Sequence, residues 1–211
     1  ASQFSKDSRY RTELYKLRRK FMSHADGLIH ADLHTSNILA SRDEMKVIDM
    51  EFAFMGPFGY DLGYLVGNII SQYCAACFKR FPSEQNRKQF KAYLLATIKS
   101  LIETYMKTFT LCWERSVKER YRGQQGLLQS ILQEVMVDMP GYASMVNWFR
   151  SVSDIPYPDF DVIENKDAKR NATVLSLMID WGIMFGRYKY QSADDLIETI
   201  IGIEEEFRKS L

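Results

Sequence analysis

Two stretches decide how this chain is read: Leu28-Ile29-His30-Ala31-Asp32-Leu33-His34-Thr35-Ser36-Asn37-Ile38-Leu39, and the shorter Val47-Ile48-Asp49-Met50-Glu51. An apolar pair, Leu28 and Ile29, leads into a polar loop carrying Asp32 and, five residues on, Asn37. The apolar runs Ile38-Leu39-Ala40 and Met45-Lys46-Val47-Ile48 then flank Ser41-Arg42-Asp43-Glu44, a pattern that predicts a small β-hairpin. A hairpin returns Asp49 and Glu51 to the neighbourhood of Asn37. Two positions apart on extended chain, the two acids would face one side. One carboxylate beside a second cluster of carboxylates and an amide suits phosphoryl transfer. The first orients an attacking hydroxyl, and the second holds a divalent cation against phosphates. Taken singly, Asp32 reads as a loop-capping aspartate and the later acids as a turn after a strand. The joint spacing outweighs that plainer account.

Working outward, apolar residues at Tyr10, Leu14, Leu17 and Phe21 predict a helix over residues 5–24, ended by Gly27. Phe52 to Tyr60, with Gly56-Pro57 and Gly59, reads as a loop packed down by Phe52, Phe54, Phe58 and Tyr60. Asp61 can cap the next helix, which carries Leu62, Leu65, Val66, Ile69 and Tyr73. Ser83 can cap a long helix reaching to about Tyr121. Leu127 to Asp138 reads as helix, Met139-Pro140-Gly141 as a break, and Tyr142 to Val152 as a further helix. Ser153 to Asp167, with Pro156 and Pro158, reads as a surface connection. Asp167 to Tyr190 is helical, and Ser192 with Asp195 forms a capping box for a last helix to about Lys209. Trp113, Trp148 and Trp181 at helical positions are expected in the core.

The pattern H-x-D-L-H-x-x-N followed by I-D-x-E resembles the small-molecule kinases related to aminoglycoside and choline phosphotransferases. Lys20-Phe21-Met22-Ser23-His24-Ala25, Leu28-Ile29-His30 and the run Phe52 to Asp61 are similar to the methylthioribose kinase branch of that family. The resemblance is strong over about residues 15–75 and continues more weakly to the C-terminus. It implies a mainly α fold, the C-terminal lobe of a protein-kinase-like enzyme, with one small β-hairpin at the catalytic and metal loops. It also implies Asp32 as the group that orients and deprotonates the acceptor. Asp49, Glu51 and Asn37 would be ligands of Mg2+, and ATP the phosphoryl donor. His30 would prop the loop, Asp61 would hold the loop backbone from the following helix, and Arg150 would sit beside a sugar substrate.

On this resemblance the whole protein would phosphorylate the 1-hydroxyl of 5-methylthioribose in methionine salvage, in the cytoplasm, and the same resemblance suggests a homodimer. Two departures stand out: Phe149 replaces the first of a pair of substrate-side arginines, and Ala31 replaces a glycine between histidine and aspartate. They keep open another sugar, choline or an aminoglycoside as acceptor. Arg150 reads equally well as a solvated helix arginine. The eleven glycines include no G-x-G-x-x-G. The 211 residues therefore read as one domain, a C-terminal lobe without its nucleotide-covering N-lobe, expected to be inactive alone. A non-catalytic remnant or binding module is the third reading.

Composition narrows the rest. A formal net charge of +1 gives no pull toward nucleic acid or a membrane surface. No apolar run is long enough to span a bilayer. Cys74-x-x-Cys77 lies in an apolar helical pattern with no second pair or histidine, so Cys74, Cys77 and Cys112 are expected to be buried, reduced thiols.

Overall fold

The computed structural model describes residues 7–211, so residues 5 and 6 of the first expected helix lie outside the described part. That helix, α1 (Ser8–Ser23), begins where the Asp7 carboxylate accepts the backbone N–H groups of Arg9 and Tyr10. An N-cap of this kind satisfies donors that a helix start leaves unpaired. Four short strands follow: β1 (Gly27–Ile29), β2 (Ile38–Ala40), β3 (Met45–Val47) and β4 (Phe54–Gly56). β2 and β3 form the expected hairpin, with Ile38 opposite Val47 and Ala40 opposite Met45.

β4 corrects the sequence reading, which made Phe52 to Tyr60 a loop throughout. Phe54, Met55 and Gly56 pair antiparallel with Ile29, Leu28 and Gly27, so β1 and β4 close the ends of residues 30–53 like a clasp. Three residues flanked by glycine and proline carry no alternation to announce a strand, and the partner lies far back in the chain. The expected packing of the four aromatics is also uneven. Phe54 meets Phe21 edge-on, Phe58 meets Phe109, and Phe52 stays exposed.

The rest is helical: α2 (Gly59–Ala76), α3 (Glu84–Ser116), α4 (Gln125–Val152), the single turn α5 (Pro158–Asp161), α6 (Lys166–Gly186) and α7 (Ala193–Lys209). Ser83 caps α3 by accepting the Asn86 N–H, and Ser192 with Asp195 caps α7 reciprocally. α4 is one helix where two were expected. It runs through Pro140, and Arg187 donates to the Val137 carbonyl at 3.1 Å in the turn that the proline disturbs. That side chain lies 50 residues away in sequence, out of reach of any local reading. The expected surface connection after α4 is also corrected in part: Asp159, Phe160 and Ile163 are buried.

α2 is the central rod. Val66, Ile70, Tyr73 and Cys74 are fully enclosed in a core shared with α3, α4, α6 and α7. Glycines at every fourth position bring α2 unusually near α4. A Cβ at Gly63 would stand 2.6 Å from the Met139 carbonyl oxygen, and one at Gly67 2.5 Å from that of Ala143. α1 packs outside this core through Tyr10 and Leu17 against Tyr142 and Met184. It is pinned there by Glu13 to Arg187 at 2.7 Å and by Lys20 to Glu134 and Asp138.

Cys74 and Cys77 are buried as expected, but Cys112 is exposed on α3. The three tryptophans are half-buried rather than core. Trp181 stacks on Tyr10, Trp113 on Phe109, and Trp148 lines a cleft. No helix among the described residues is long and apolar enough to cross a membrane.

Candidate active site

The loop after β1 is held from beneath by one face of α2. Asp61 sits in the first turn of that helix, but it does not cap it, since α2 starts at Gly59. Its carboxylate instead accepts the backbone N–H groups of His30 at 2.6 Å and Ala31 at 2.9 Å. Two turns further along α2, Asn68 Oδ1 accepts both the backbone N–H of Thr35 at 3.0 Å and its hydroxyl at 2.7 Å. The loop is thereby anchored at both ends of its polar run.

His30 ties this loop to the second acidic stretch. Its buried ring places Nε2 2.8 Å from the Ile48 carbonyl and Nδ1 3.3 Å from the Asp32 backbone N–H. Both contacts are satisfied by the tautomer with its proton on Nε2. Asn37 adds two more links. Its Nδ2 donates to the Asp32 carbonyl at 3.0 Å, and its own carbonyl accepts the Ile48 N–H at 3.0 Å. The amide thus uses its donor on the loop and keeps Oδ1 as the atom with which it could meet a cation.

Two non-glycine residues here have left-handed backbone, Ala31 at φ 68° and Asp49 at φ 65°. That corrects the expectation of an extended Asp49–Glu51 pair. The chain turns left-handed at Asp49 and enters a turn at Glu51, so strand alternation does not align the two acids. Both are exposed. Among the described residues no three His, Cys, Asp or Glu side chains converge as a metal cage, so Asp32, Asp49 and Glu51 do not form a ready-made triad. The donor set still fits magnesium. This ion accepts one or two carboxylates, keeps waters, and takes phosphate oxygens for its remaining positions.

Asp32 is half-buried, with His34 Nε2 3.5 Å from its Oδ2. Tyr64 stands nearby, its ring 6.4 Å from that of His34. Burial first, and then the neighbouring Asp32 carboxylate, push the Tyr64 phenol well above its ordinary value. Burial, and then the charges of Asp61 and Asp32, push Tyr60 up to about 12.

Tyr60 and Tyr64 open onto a cleft of about 600 Å³ between α1, α2 and α4. That volume lies within the usual range of small-molecule pockets. Tyr10, Phe21, Trp148 and Arg150 also line it. Arg150 is neither a solvated helix arginine nor a free one. Its Nε lies 2.7 Å from buried Asp159 Oδ2, and its guanidinium covers the Tyr157 ring at 4.4 Å from the centroid. Burial raises the Asp159 carboxyl, while the Arg150 charge opposes that rise.

Two contributors escape a reading by motif, Tyr64 and Asn68. Their signal was present as spacing. Asp61, Tyr64 and Asn68 fall on one face of a helix, with Gly59, Gly63 and Gly67 on another.

Residues 6–101 match the phosphotransferase enzyme family, a range that holds the loop, the hairpin and all of α2. Over that range the chain is similar to that family. The phosphotransferase match is extended by curated relatives over nearly the whole chain. The chain is 32% identical over 198 residues to a methylthioribose kinase of Geobacillus thermodenitrificans, covering 94% of this chain and 48% of the relative. It is 33% identical over 190 residues to that of Geobacillus kaustophilus, covering 90% and 46%. Against that of Exiguobacterium sibiricum it is 34% identical over 137 residues, covering 65% and 33%. The chain thus spans about half the length of the first two relatives.

Proposed function

We propose that this phosphotransferase segment forms the acceptor and metal half of an ATP-dependent small-molecule kinase, with the 1-hydroxyl of 5-methylthioribose as acceptor, in methionine salvage. One observation carries the reading. Tyr64 and Arg150 line a single aromatic cleft, Tyr64 stands beside His34 of the Asp32 loop, and the second acidic stretch is tied to that loop through His30. A sugar hydroxyl is a weak nucleophile, so most of the rate comes from positioning and charge compensation. Asp32 accepts a hydrogen bond from the acceptor hydroxyl and takes its proton as the new P–O bond forms and the bond from the γ-phosphorus of ATP to its bridging oxygen breaks, releasing ADP. Asp49, Glu51 and Asn37 Oδ1 would hold Mg2+, which neutralises phosphate charge when bound. His30, Asp61 and Asn68 keep the loop from relaxing.

The cleft favours this acceptor over the alternatives. Among the described residues Arg18 and Arg150 line it and no carboxylate does, which suits a neutral, partly apolar ligand. A polycationic aminoglycoside or choline would meet like charge there.

The test is a phosphotransfer assay with protein that includes any sequence flanking this chain in its gene, comparing methylthioribose, an aminoglycoside and choline. Methylthioribose turnover is expected. Asp32→Asn should lower kcat by about 10²–10⁴, the usual contribution of a positioned general base. Turnover unchanged in that variant would remove Asp32 from its role.

A further inference from the structure

We infer that Tyr157 is the specificity-determining wall of the aromatic cleft, its ring set in place by Arg150 and Asp159 to receive the apolar end of the acceptor. The inference rests on the kinase reading for its ligand; the arrangement of the wall stands without it. Arg150 is committed within the protein. Its Nε and Nη2 lie 2.7 Å and 2.5 Å from one oxygen of Asp159, and the other oxygen accepts the Gln72 side-chain amide. Asp159 is buried, so this corner ties α2, α4 and α5 together away from water, where charged hydrogen bonds are strongest. The guanidinium then covers the Tyr157 ring at 4.4 Å from the centroid, and Phe149 meets that ring edge-on at 5.9 Å. An arginine engaged by a carboxylate and a ring has little left to offer a sugar hydroxyl. Its part is to orient the ring.

The backbone restricts Tyr157 as well. It stands between Pro156 and Pro158 with φ −105° and ψ 130°, the extended conformation favoured before a proline. Buried Asp159 follows two residues later, so the ring is tethered from both sides. The cleft is graded along α4. At one end Tyr142 packs against Tyr60, next to Asp61, which anchors the Asp32 loop. Two turns further on, a rise of about 10 Å, Phe149 packs against Tyr157. A ligand whose reacting hydroxyl lies toward the loop therefore reaches Tyr157 with its far end, where Val146, Trp148 and Phe149 complete an apolar lining. The far end of methylthioribose is a methylthio group, apolar and polarisable, which packs favourably against an aromatic ring.

The experiment has two arms. The first uses this chain, with tyrosine labelled at the ¹³Cε positions and the Tyr157 resonance assigned through Tyr157→Phe. Arg150→Met should move that resonance, as the ring loses the cation over its face, and Arg42→Met, in the hairpin turn, should leave it in place. A Tyr157 signal indifferent to Arg150 overturns the arrangement of the wall. Asp159→Asn, which loosens Arg150 without removing it, gives the same comparison should Arg150→Met not fold. The second arm measures turnover of methylthioribose. Tyr157 is half-buried, so its variants spare the core. Tyr157→Phe keeps the ring and should hold KM within about twofold of the parent. Tyr157→Ala should raise KM about tenfold with kcat within about threefold, the pattern of lost ground-state packing. On that background Arg150→Met should add less than about twofold, because Arg150 acts through the ring. An unchanged KM in Tyr157→Ala overturns the wall, and a full further loss from Arg150→Met overturns the positioning role of Arg150; both leave the kinase reading standing. Absence of turnover in the parent protein with all three acceptors overturns the kinase reading and the ligand assigned to the wall, and the first arm tells that failure apart from a failure of the wall itself.

Discussion

At the scale of single residues, the site is built by backbone that sequence patterns reveal only in part. Ala31 has the left-handed conformation that glycine adopts without penalty, and the two carboxylate oxygens of Asp61 hold its amide and that of His30. Left-handed backbone costs an alanine about 1–2 kcal/mol. Ala31→Gly should therefore stabilise the fold by about 1 kcal/mol, after allowing for the extra freedom of glycine in the unfolded chain. Urea denaturation would measure it. Asp180 offers a second case. It is buried beside Asn147, whose Nδ2 donates to it at 2.7 Å, and burial pushes its carboxyl well above the ordinary 3.8. The unfolded chain releases this proton near 3.8 while the folded chain retains it, so stability falls as pH rises above that value. Asp180→Asn abolishes the dependence. Its melting temperature relative to the parent protein should improve steadily between pH 4 and pH 8. The candidate acids could be picked out because a fixed spacing of Asp, Asn, Asp and Glu has few other uses. The Arg150–Asp159 pair was not, because Asp159 sits among prolines and acids that resemble solvent-facing loop.

At the scale of elements, α1 is held by charge as much as by apolar contact. Burial opposes ionisation of Glu13, and hydrogen bonds from Lys16, Tyr188 and Arg187 outweigh it, bringing its carboxyl down to about 2. This depressed value gives stability that is complete above the ordinary 4.5 and lost as pH falls toward 2. Glu13→Gln should cost about 3 kcal/mol at neutral pH by stranding buried Arg187, and should flatten the acid limb of the unfolding curve across that interval. Circular dichroism against pH would follow it. The α2–α4 contact makes a separate prediction. Gly67→Ala places a methyl against the Ala143 carbonyl and should destabilise by about 1–3 kcal/mol, read as a drop in melting temperature. Helices were legible wherever an apolar stripe repeats every 3.6 residues and a cap is present, as in α3 and α7. β4 and the unbroken α4 were not. Each depends on a partner remote in sequence: Ile29 for Phe54, and Arg187 for the turn before Pro140.

At the scale of the whole molecule, the enclosed helical core contrasts with the two small sheets. Leu28, Leu39, Met45, Met50, Phe52 and Met55 are each more than half exposed, and all lie within residues 28–55, beside the acids. An apolar surface of this kind is a liability for a protein alone in water. The chain should enhance the fluorescence of an apolar dye such as ANS while fully folded. Met45→Lys combined with Phe52→Ser should reduce that signal without lowering the melting temperature. The glycine stripe of α2 has a consequence of its own. The same rod that nestles against Met139 and Ala143 also carries Asp61, Tyr64 and Asn68 to the loop. A bulkier residue wedged into that seam would nudge the whole bar sideways, and its far flank would drag the aspartate out of alignment. Crowding in the interior would therefore disturb the acidic loop as well as the packing, and a survey of tolerated changes would find these glycines as intolerant as the acids themselves.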